Sequence, residues 1–360
     1  MKAAVFHGPG QSMTIEEVGV EKPARSEVLV RTRVAGLCHS DLHFIEGKYP
    51  TPVPAILGHE AAGVVEAVGA DVTHVKPGDH VVTCLSVFCG HCEFCLTGNQ
   101  TVCGNTAVKM PPGAARRLRW NDGHLNQFLN LSAFAEQMLV HENALVKIRD
   151  DMPLDLAALL GCGVLTGYGS VVRSARMEPG TTVAVLGCGG IGLSTVHAAL
   201  MAGAARVIAI DIDPAKLEMA RLFGATDVVD GRDPDLVAKV VELTQGGVHY
   251  AFECIGLKQT AEASFAMLRP CGLSTIVGMI PLGTRIELHG FDFLRQRRIQ
   301  GTMMGANHFR LDIPRLVEFH MQGRMKLEHL ISRRMPLAQI NDGFAALRHG
   351  GVARNVIVFD

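Results

Sequence analysis

Two different patterns of apolar and polar positions follow one another along the chain. Up to about residue 160, short β-branched runs alternate apolar with polar side chains between turn residues, as at residues 27–34 and 63–68. Such alternation predicts antiparallel strands with one buried face, because successive side chains of a strand point to opposite sides. Residues 354–359 have the same strand-like character. We expect them to rejoin this first unit, which the pattern predicts to be barrel-like.

From about Leu154 onwards the pattern changes to longer helical stretches that alternate with continuous apolar runs. Residues 182–186, 207–210 and 274–277 are such runs. A strand with both faces buried has no polar side to alternate with, so these runs predict the strands of a parallel sheet. We therefore expect an α/β region with a doubly wound parallel sheet after the first β unit.

Composition narrows the class of protein further. A chain of 360 residues is too long for one ordinary core, and its 34 basic and 35 acidic side chains nearly cancel. Nothing in this balance indicates nucleic acid or an anionic membrane as a partner. No apolar stretch is long enough to span a bilayer, and the first residues lack the apolar core of a signal peptide.

The ten cysteines are unevenly spread, with four of them between Cys89 and Cys103. In a chain without an export signal, clustered cysteines indicate metal ligation in a reducing compartment rather than disulfides. A cytoplasmic location is therefore expected.

A glycine-rich turn separates the strand at 182–186 from an alanine-rich helix. It reads Gly187-Cys188-Gly189-Gly190-Ile191-Gly192. In a dinucleotide site the first glycine permits the tight turn, Gly189 lets a pyrophosphate approach the backbone, and Gly192 lets helix and strand pack closely. The helix N-terminus adds free N–H groups for the phosphates. Taken alone, the same letters also describe a plain glycine-rich turn.

An acidic residue follows the next strand, as a dinucleotide site requires. Asp211 comes directly after residues 207–210, close to the expected offset of ~20 residues. A carboxylate there would bind both ribose hydroxyls and repel a 2′-phosphate, which favours NAD over NADP. Asp211 could instead simply cap a βα turn. Lys216 either neighbours the adenosine ribose or is a solvated lysine on a helix.

Four closely spaced cysteines predict a closed metal site. Cys89, Cys92, Cys95 and Cys103 can complete a tetrahedral shell around zinc and leave no position for a substrate, which is typical of a structural site. An iron–sulfur cluster is the alternative, but the close fourth cysteine and the proline of the bacterial pattern are missing. His91 lies between these cysteines and is expected to be a bystander.

A second candidate set is dispersed along the chain. Cys38 lies in GLCHSD, His59 in GHE and Cys162 in GCGVLTGYG. On spacing alone these could be three unrelated buried residues. Taken in order with the four-cysteine segment, the glycine turn and Asp211, they closely resemble the zinc-containing alcohol dehydrogenases of the medium-chain dehydrogenase family. The resemblance covers essentially the whole chain.

This resemblance implies the fold and the cofactors. It implies a GroES-like β-barrel catalytic domain at residues 1–163 and 303–360 and a Rossmann NAD-binding domain at 164–302. It also implies two Zn²⁺ per subunit and NAD. Cys38, His59 and Cys162 would hold the catalytic zinc and leave its fourth position to water or alcohol. Glu60 would lie just behind the metal, and Asp41 would fix the ring of His59.

The implied reaction is the reversible oxidation of an alcohol, expected to be primary, to the aldehyde. The open zinc site would make the bound alcohol more acidic so that its carbon can release hydride to NAD. Ser40 would take the proton and His43 would deliver it to solvent. The remaining cofactor contacts implied are His39 and Arg354 at the pyrophosphate, and Val277.

Alignment on the zinc ligands places four further residues near the substrate: Tyr49, Leu85, Phe134 and Met279. Leu85 stands where many relatives have a bulky aromatic side chain, which leaves room for aromatic or longer-chain alcohols. Each of the four is equally consistent with core packing.

Two alternatives to this function stay open. A glutathione-dependent formaldehyde dehydrogenase shares both zinc sites and would need a basic anchor, which Arg116, Arg117 and Arg119 could offer. Those arginines lie in residues 109–126, which otherwise read as a long, solvated surface loop. A non-catalytic nucleotide-binding relative would lack a zinc ligand, whereas all three are present.

The length of the segment between Cys103 and Phe134 favours a homodimer over a tetramer, by analogy with the family.

Overall fold

The computed structural model describes residues 1–109, 117–120, 123, 125–350 and 353–360. Within these residues the strands are, in chain order, β1 (Lys2–Phe6), β2 (Thr14–Glu17), β3 (Gly19–Val20), β4 (Glu27–Leu37), β5 (Ala55–Ile56), β6 (Ala61–Val68), β7 (His80–Thr83), β8 (Leu118–Arg119), β9 (Asn126–Gln127), β10 (Gln137–His141), β11 (Leu145–Lys147), β12 (Thr182–Leu186), β13 (Arg206–Asp211), β14 (Asp227–Asp230), β15 (Val248–Glu253), β16 (Leu268–Ile276), β17 (Arg298–Gly301), β18 (Ile331–Met335) and β19 (Arg354–Val358). The α-helices are α1 (His39–Ile45), α2 (Glu93–Leu96), α3 (Leu154–Leu159), α4 (Gly163–Gly169), α5 (Gly190–Met201), α6 (Pro214–Leu222), α7 (Leu236–Leu243), α8 (Lys258–Ala266), α9 (Phe309–Met321) and α10 (Ile340–His349).

The chain divides into two compact units. The first comprises residues 1–162 and 308–360, and the second comprises residues 163–307. The sequence predicted that the chain re-enters the first unit at residue 303, whereas the compact unit resumes at residue 308. That assignment of domains stays a prediction.

The first unit is built on a mostly antiparallel sheet with the strand order β11-β7-β6-β4-β19-β18, and β10 also pairs with β4. The first half of β4 alternates more and less buried positions, as a strand with one face on the core should. The C-terminal strand β19 pairs antiparallel with β4, with Asn355 opposite Leu37. This confirms that residues 354–359 rejoin the first unit, and it places Arg354 near Cys38.

The second unit contains a six-stranded parallel sheet with the order β14-β13-β12-β15-β16-β17. This is the strand order of the doubly wound dinucleotide-binding fold, and it confirms the expected α/β class. The order reverses between β12 and β15, and in such sheets ligands bind at the carboxyl ends of the strands around that point. The residues that end these strands therefore lie where a ligand of this fold binds.

Local sequence explains how the helix after the second of these strands begins. Asp213 precedes α6, its carboxylate accepts the backbone N–H of Ala215 at 2.9 Å, and Pro214 occupies the first helical position. An acidic cap followed by proline is a strong start signal, because proline needs no N–H partner there. The turn after β13 is thereby held at the carboxyl edge of the sheet.

The surface loop expected at residues 109–126 is wrong at Arg117 and Leu118, whereas Arg119 and Gly123 are exposed as expected. Arg117 and Leu118 are buried, and β8 pairs with β3. Arg117 is drawn inwards because its guanidinium meets Glu27 at 2.6 Å and the Gln127 side chain at 2.8 Å. Residues 110–116, 121, 122 and 124, including Arg116, lie outside the described residues.

A membrane-spanning helix was not expected from the sequence. Among the described residues, none of the helices is long and apolar enough to cross a bilayer.

Candidate metal centres and nucleotide site

Three dispersed residues of the first unit converge in its interior. Cys38 directly precedes α1, His59 lies between β5 and β6, and Cys162 follows α3. All three are buried, and their ligand atoms lie within 4.8 Å of one another. His59 Nε2 is 3.3 Å from Cys162 Sγ. A nitrogen and a sulfur on one tetrahedral zinc would be about 3.6 Å apart, so this donor set fits the metal.

Asp41 organises this cluster, hereafter the catalytic cluster. Its wholly buried carboxylate lies 3.0 Å from His59 Nδ1 and accepts backbone N–H groups from Cys38 and Gly58, each at 3.3 Å. The hydrogen bond from the Cys38 N–H to Asp41 is one half of a capping box, with Cys38 as the N-cap, and it explains why α1 begins directly after Cys38. With Nδ1 donating to the carboxylate, His59 keeps its Nε2 lone pair for a metal.

The two thiols of the catalytic cluster share protons unequally. The hydrogen bond with Cys162 holds the pKa of Cys38 well below its usual range, and it raises that of Cys162 well above. Although burial opposes the shift, the Asp41 carboxylate raises the pKa of His59. Two adjacent thiols cannot both ionise cheaply in a buried site, and a divalent cation is the chemical species that removes this conflict.

Glu60 and Arg354 form a buried pair beside the catalytic cluster. Glu60 Oε2 lies 3.6 Å from Arg354 Nε, and both side chains are buried. Burial raises the pKa of Glu60 to about 7 in spite of this arginine. Gly36 provides the space, because a Cβ there would lie 2.9 Å from Glu60 Cδ. Glu60 is not one of the converging ligand atoms among the described residues, and its role behind the metal stays a prediction.

The short helix α1 carries both expected proton-transfer residues, Ser40 in its first turn and His43 in its last. Ser40 Oγ lies 3.6 Å from Cys38 Sγ, and His43 follows three residues later, half-buried on the same helix. Burial, and then the charge of Lys48, lowers the pKa of His43. His39 is exposed at the start of the helix. The relay and the pyrophosphate contact stay predictions.

The four clustered cysteines form a second constellation in the first unit, hereafter the cysteine lobe (residues 89–103). Cys92 Sγ lies 3.5 Å from that of Cys95 and 3.8 Å from that of Cys103, and Cys89 Sγ lies 3.9 Å from that of Cys95. Sulfurs on one tetrahedral zinc are about 3.8 Å apart, so the spacing fits a closed four-thiolate site.

The protonation of the cysteine lobe is also uneven. Burial raises the pKa of Cys95 to about 12, whereas the backbone N–H groups of His91 and Cys92, acting against burial, lower that of Cys89 to about 6. The His91 ring is engaged elsewhere, with the Cys89 carbonyl at 3.0 Å and the Asn105 amide at 3.1 Å. Its expected role as a bystander stays a prediction.

The glycine turn of the second unit shows why each glycine is needed. Gly187 has φ = +92°, and a Cβ at Gly192 would lie 1.7 Å from the Gly187 carbonyl oxygen. Any side chain at Gly192 would therefore separate α5 from β12. A Cβ at Gly189 would meet no atom of the described residues within 4 Å. The turn is thus tight at both ends and open in the middle, beside Gly190 and Ile191.

Asp211 ties this turn to the end of β13. Its carboxylate accepts the backbone N–H of Cys188 at 2.7 Å and that of Asp213 at 3.0 Å. Asp211 therefore does cap the βα turn, as the alternative interpretation held. Its carboxylate still has lone pairs that could accept hydrogen bonds from a ribose. Lys216 is half-buried on α6. The ribose roles of both residues stay predictions.

The expected substrate residues are placed unequally. Phe134 is fully buried, its ring packs edge-on against Phe344 at 5.8 Å, and a Cβ at Gly58 would lie 2.8 Å from it. Its role at the pocket wall stays a prediction. A second phenylalanine, Phe128, also lies near the catalytic cluster, with its ring centre 6.3 Å from that of His59. Both phenylalanines lie in one largely apolar stretch, and the sequence pattern alone does not tell how each of them lies relative to the catalytic cluster.

The other three expected substrate residues are half-buried. Tyr49 lies beside the rings of His43 and Phe44, at 6.0 and 5.8 Å. Leu85 packs against the core of the first unit. Met279 belongs to the second unit, where its backbone lies against Gly256. Their roles toward a substrate stay predictions.

Comparison with known families follows the same division of the chain. Residues 24–150 match the family model described as alcohol dehydrogenase GroES-like domain. Residues 190–320 match the model described as zinc-binding dehydrogenase. The first match contains Cys38, His59 and the cysteine lobe, and the second begins inside the glycine turn.

Similar whole chains are known. The chain is 40% identical to an alcohol dehydrogenase class-3 of Zea mays, over 99% of this chain and 96% of that one. It is 36% identical to an S-(hydroxymethyl)glutathione dehydrogenase of Saccharomyces cerevisiae, with the same coverage. The crystal structure of benzyl alcohol dehydrogenase from Acinetobacter calcoaceticus superimposes with a TM-score of 0.94 at 33% identity, covering 100% of this chain and 99% of that one.

Proposed function

The chain belongs to the zinc-containing alcohol dehydrogenases of the medium-chain dehydrogenase family, and we propose that it reversibly oxidises an alcohol to an aldehyde with NAD as hydride acceptor. The observation that carries this proposal is the buried convergence of Cys38, His59 and Cys162 around one point, with Asp41 orienting the imidazole. Three protein ligands are the number that leaves a zinc position open to a reactant.

The catalytic roles follow from the residues around that point. Held by Cys38, His59 and Cys162, zinc would act as a Lewis acid that makes an alcohol hydroxyl more acidic. Ser40 then accepts the hydroxyl proton, and His43 passes it to solvent. The lowered pKa of His43 keeps its ring neutral at pH 7, so the ring can accept a proton there.

We assign NAD rather than NADP because of the acid that ends β13. Asp211 accepts the ribose hydroxyls, and its charge repels a 2′-phosphate. The pyrophosphate lies along residues 187–192, where the helix N-terminus offers N–H groups. His39, Lys216, Val277 and Arg354 complete the proposed cofactor contacts.

The substrate we propose is an unconjugated primary alcohol, with aromatic or longer-chain alcohols included. A glutathione conjugate needs free cations for its carboxylates, whereas Arg117 is committed to Glu27 at 2.6 Å and Arg119 to Glu21 at 2.8 Å. The second candidate is an S-(hydroxymethyl)glutathione dehydrogenase. It is favoured by the 36–38% identity to relatives of that name. A non-catalytic family member is the distant alternative.

We also propose a homodimer, with a tetramer as the alternative, in a reducing, cytoplasmic setting. All ten cysteines are free thiols. β17 ends the parallel sheet, and the segment before it exposes Leu282, Phe291, Phe293 and Leu294 by 69%, 58%, 47% and 78%. Apolar side chains beside an unpaired strand edge favour association with a second copy.

One set of measurements tests the proposed function. Zinc per subunit is determined, and NADH or NADPH formation is followed with aliphatic alcohols, benzyl alcohol and S-hydroxymethylglutathione. Two zinc ions with NADH formed from unconjugated alcohols support the proposal. Turnover of the glutathione adduct alone supports the second candidate. One zinc ion and no turnover would refute both and leave the non-catalytic alternative.

A further inference from the structure

Glu253 ends β15 at the carboxyl edge of the parallel sheet and has no role in the function proposed above. Its side chain is completely buried. One carboxylate oxygen, Oε1, accepts three hydrogen bonds: from the backbone N–H groups of Ile255 and Gly256 at 2.9 and 2.8 Å, and from the Thr260 hydroxyl at 2.7 Å. These donors belong to the turn after β15 and to the first turn of α8.

The main chain of Glu253 holds a second turn. Its carbonyl oxygen accepts the backbone N–H groups of Val277 at 2.8 Å and Gly278 at 2.9 Å, directly after β16. A single residue therefore fixes the exits of two neighbouring strands. Val277 is one of the proposed cofactor contacts, and Glu253 determines where its backbone lies.

The two turns that Glu253 holds are packed backbone to backbone. Gly256 has φ = +89°, and a Cβ there would lie 2.5 Å from the Met279 carbonyl oxygen. A Cβ at Gly278 would lie 2.2 Å from the Gly256 nitrogen and 2.7 Å from Glu253 Oε2. With no side chain between them, a shift of one turn must move the other.

We propose that Glu253 is a positioning residue for dinucleotide binding, one that holds the turns after β15 and β16 in the conformation the cofactor requires. This inference rests on the proposed function, because it concerns the same nucleotide site. The physical reason is pre-organisation. If the two turns are ordered in only a fraction of the molecules, the apparent affinity for the dinucleotide is the intrinsic affinity multiplied by that fraction.

The side chain is suited to this task because one of its oxygens accepts all three hydrogen bonds. A carboxylate forms stronger hydrogen bonds with backbone N–H groups than a neutral acceptor does. Within the described part of the chain, Glu253 has no cationic partner, so the three donors to Oε1 are what stabilise its buried carboxylate. Oε2 has no donor within the same residues. Replacement by glutamine can therefore keep every observed hydrogen bond.

The test compares NADH affinity, zinc content and melting temperature across four variants. Glu253→Ala removes the acceptor, and we expect its NADH dissociation constant to rise about tenfold or more with zinc content unchanged. Glu253→Gln should restore the affinity to within about threefold of wild type, because it keeps the acceptor oxygen. Thr260→Val removes one of the three donors and should weaken NADH binding by about threefold.

Thr244→Val is the matched control. Thr244 Oγ1 accepts the Gly247 N–H at 3.1 Å and donates to the Val240 carbonyl at 2.6 Å, so it supports the turn that enters β15 at the opposite edge of the sheet. Thr244→Val should lose thermal stability to a similar extent as Thr260→Val while binding NADH with wild-type affinity.

Two results would overturn the inference. One is a folded, zinc-loaded Glu253→Ala protein with wild-type NADH affinity. The other, decisive if Glu253→Ala does not fold, is equal NADH affinity of Thr260→Val and Thr244→Val. A wild-type protein that binds neither NADH nor NADPH would instead overturn the proposed function, and this inference with it.

Discussion

Asp41 shows how much of the catalytic cluster depends on one side chain that touches no substrate. Its carboxylate accepts hydrogen bonds from the His59 ring and from the backbone N–H of Cys38, so it fixes two of the three proposed metal ligands at once. Burial raises its own pKa, which means that the anion is held there at a cost. Such a buried anion is stabilised when a cation occupies the cluster beside it.

Asp41→Asn keeps the size of the side chain and removes its charge. We expect zinc affinity at the catalytic cluster to fall about 10- to 100-fold, because a neutral amide accepts the His59 Nδ1–H more weakly and its NH2 group cannot accept the Cys38 N–H. Chelator competition measures this, and the cysteine lobe should retain its metal. Asp155→Asn is the control, since Asp155 pairs with Arg334 at 2.6 Å away from both clusters. Wild-type zinc affinity in Asp41→Asn would contradict the assignment.

His43 predicts a pH dependence. Its pKa lies below the ordinary value of 6.5, so the ring is protonated, and unable to accept a proton, only below that lowered pKa. We therefore expect the rate of alcohol oxidation to rise with pH through a step below pH 6.5. His43→Gln should remove that step and reduce the rate at pH 7 by about tenfold.

Steady-state rates from pH 5 to 9 check the His43 prediction. His329→Gln, at an exposed histidine of the same unit, should keep the wild-type profile. An unaltered profile in His43→Gln would exclude His43 from the relay.

At the scale of elements, the cysteine lobe stands out because it has little core of its own. None of the residues of α2 is buried, and Phe94 and Leu96 are 47% and 73% exposed. One link to the rest of the first unit is the hydrogen bond between His308 Nε2 and the Gly98 carbonyl at 2.9 Å. A segment with so little apolar burial needs cross-links, and a four-thiolate metal supplies them.

Cys103→Ser should open the closed shell of the cysteine lobe. We expect the zinc content to fall from two ions to one and the protein to lose at least about 2 kcal/mol of stability, since metal binding there is coupled to folding. Elemental analysis and denaturant unfolding measure both. Cys271→Ser, at an exposed cysteine outside the two clusters, should change neither. Two zinc ions retained by Cys103→Ser would argue against a structural site.

At the scale of the whole molecule, the exposed segment before β17 bears on assembly. Leu294 is 78% exposed beside Phe293 and Phe291. Exposed apolar side chains cost free energy in water, and a second copy of the chain that covered them would remove this cost.

Leu294→Glu should weaken the proposed dimer by about 100-fold or more, because a charge would be buried without a partner in the interface. Sedimentation velocity at micromolar concentration would show a shift towards monomer. Leu96→Glu is the matched control, since Leu96 is 73% exposed in the cysteine lobe. A monomeric wild-type protein, or a fully dimeric Leu294→Glu, would refute the assigned face.

Features that arise between near neighbours in the chain were predictable from the sequence. The glycines at 187 and 192, the cap at α6 and the closely spaced cysteines are all local, because turn geometry and chelation by adjacent residues act over a few positions. The apolar patterns also predicted the parallel sheet and the return of residues 354–359 to the first unit. The dispersed ligands were interpretable only through the resemblance.

Tertiary structure alone decided which distant side chains meet. It placed Phe128 beside His59, buried Arg117 against Glu27, and set Arg354 next to Glu60. It also showed that Glu253 holds two turns, although an acid followed by Cys254-Ile255-Gly256 after a buried strand was a signal worth reading. Burial and ion pairing depend on which surfaces pack together, and the sequence of a single chain does not reveal which distant surfaces those are.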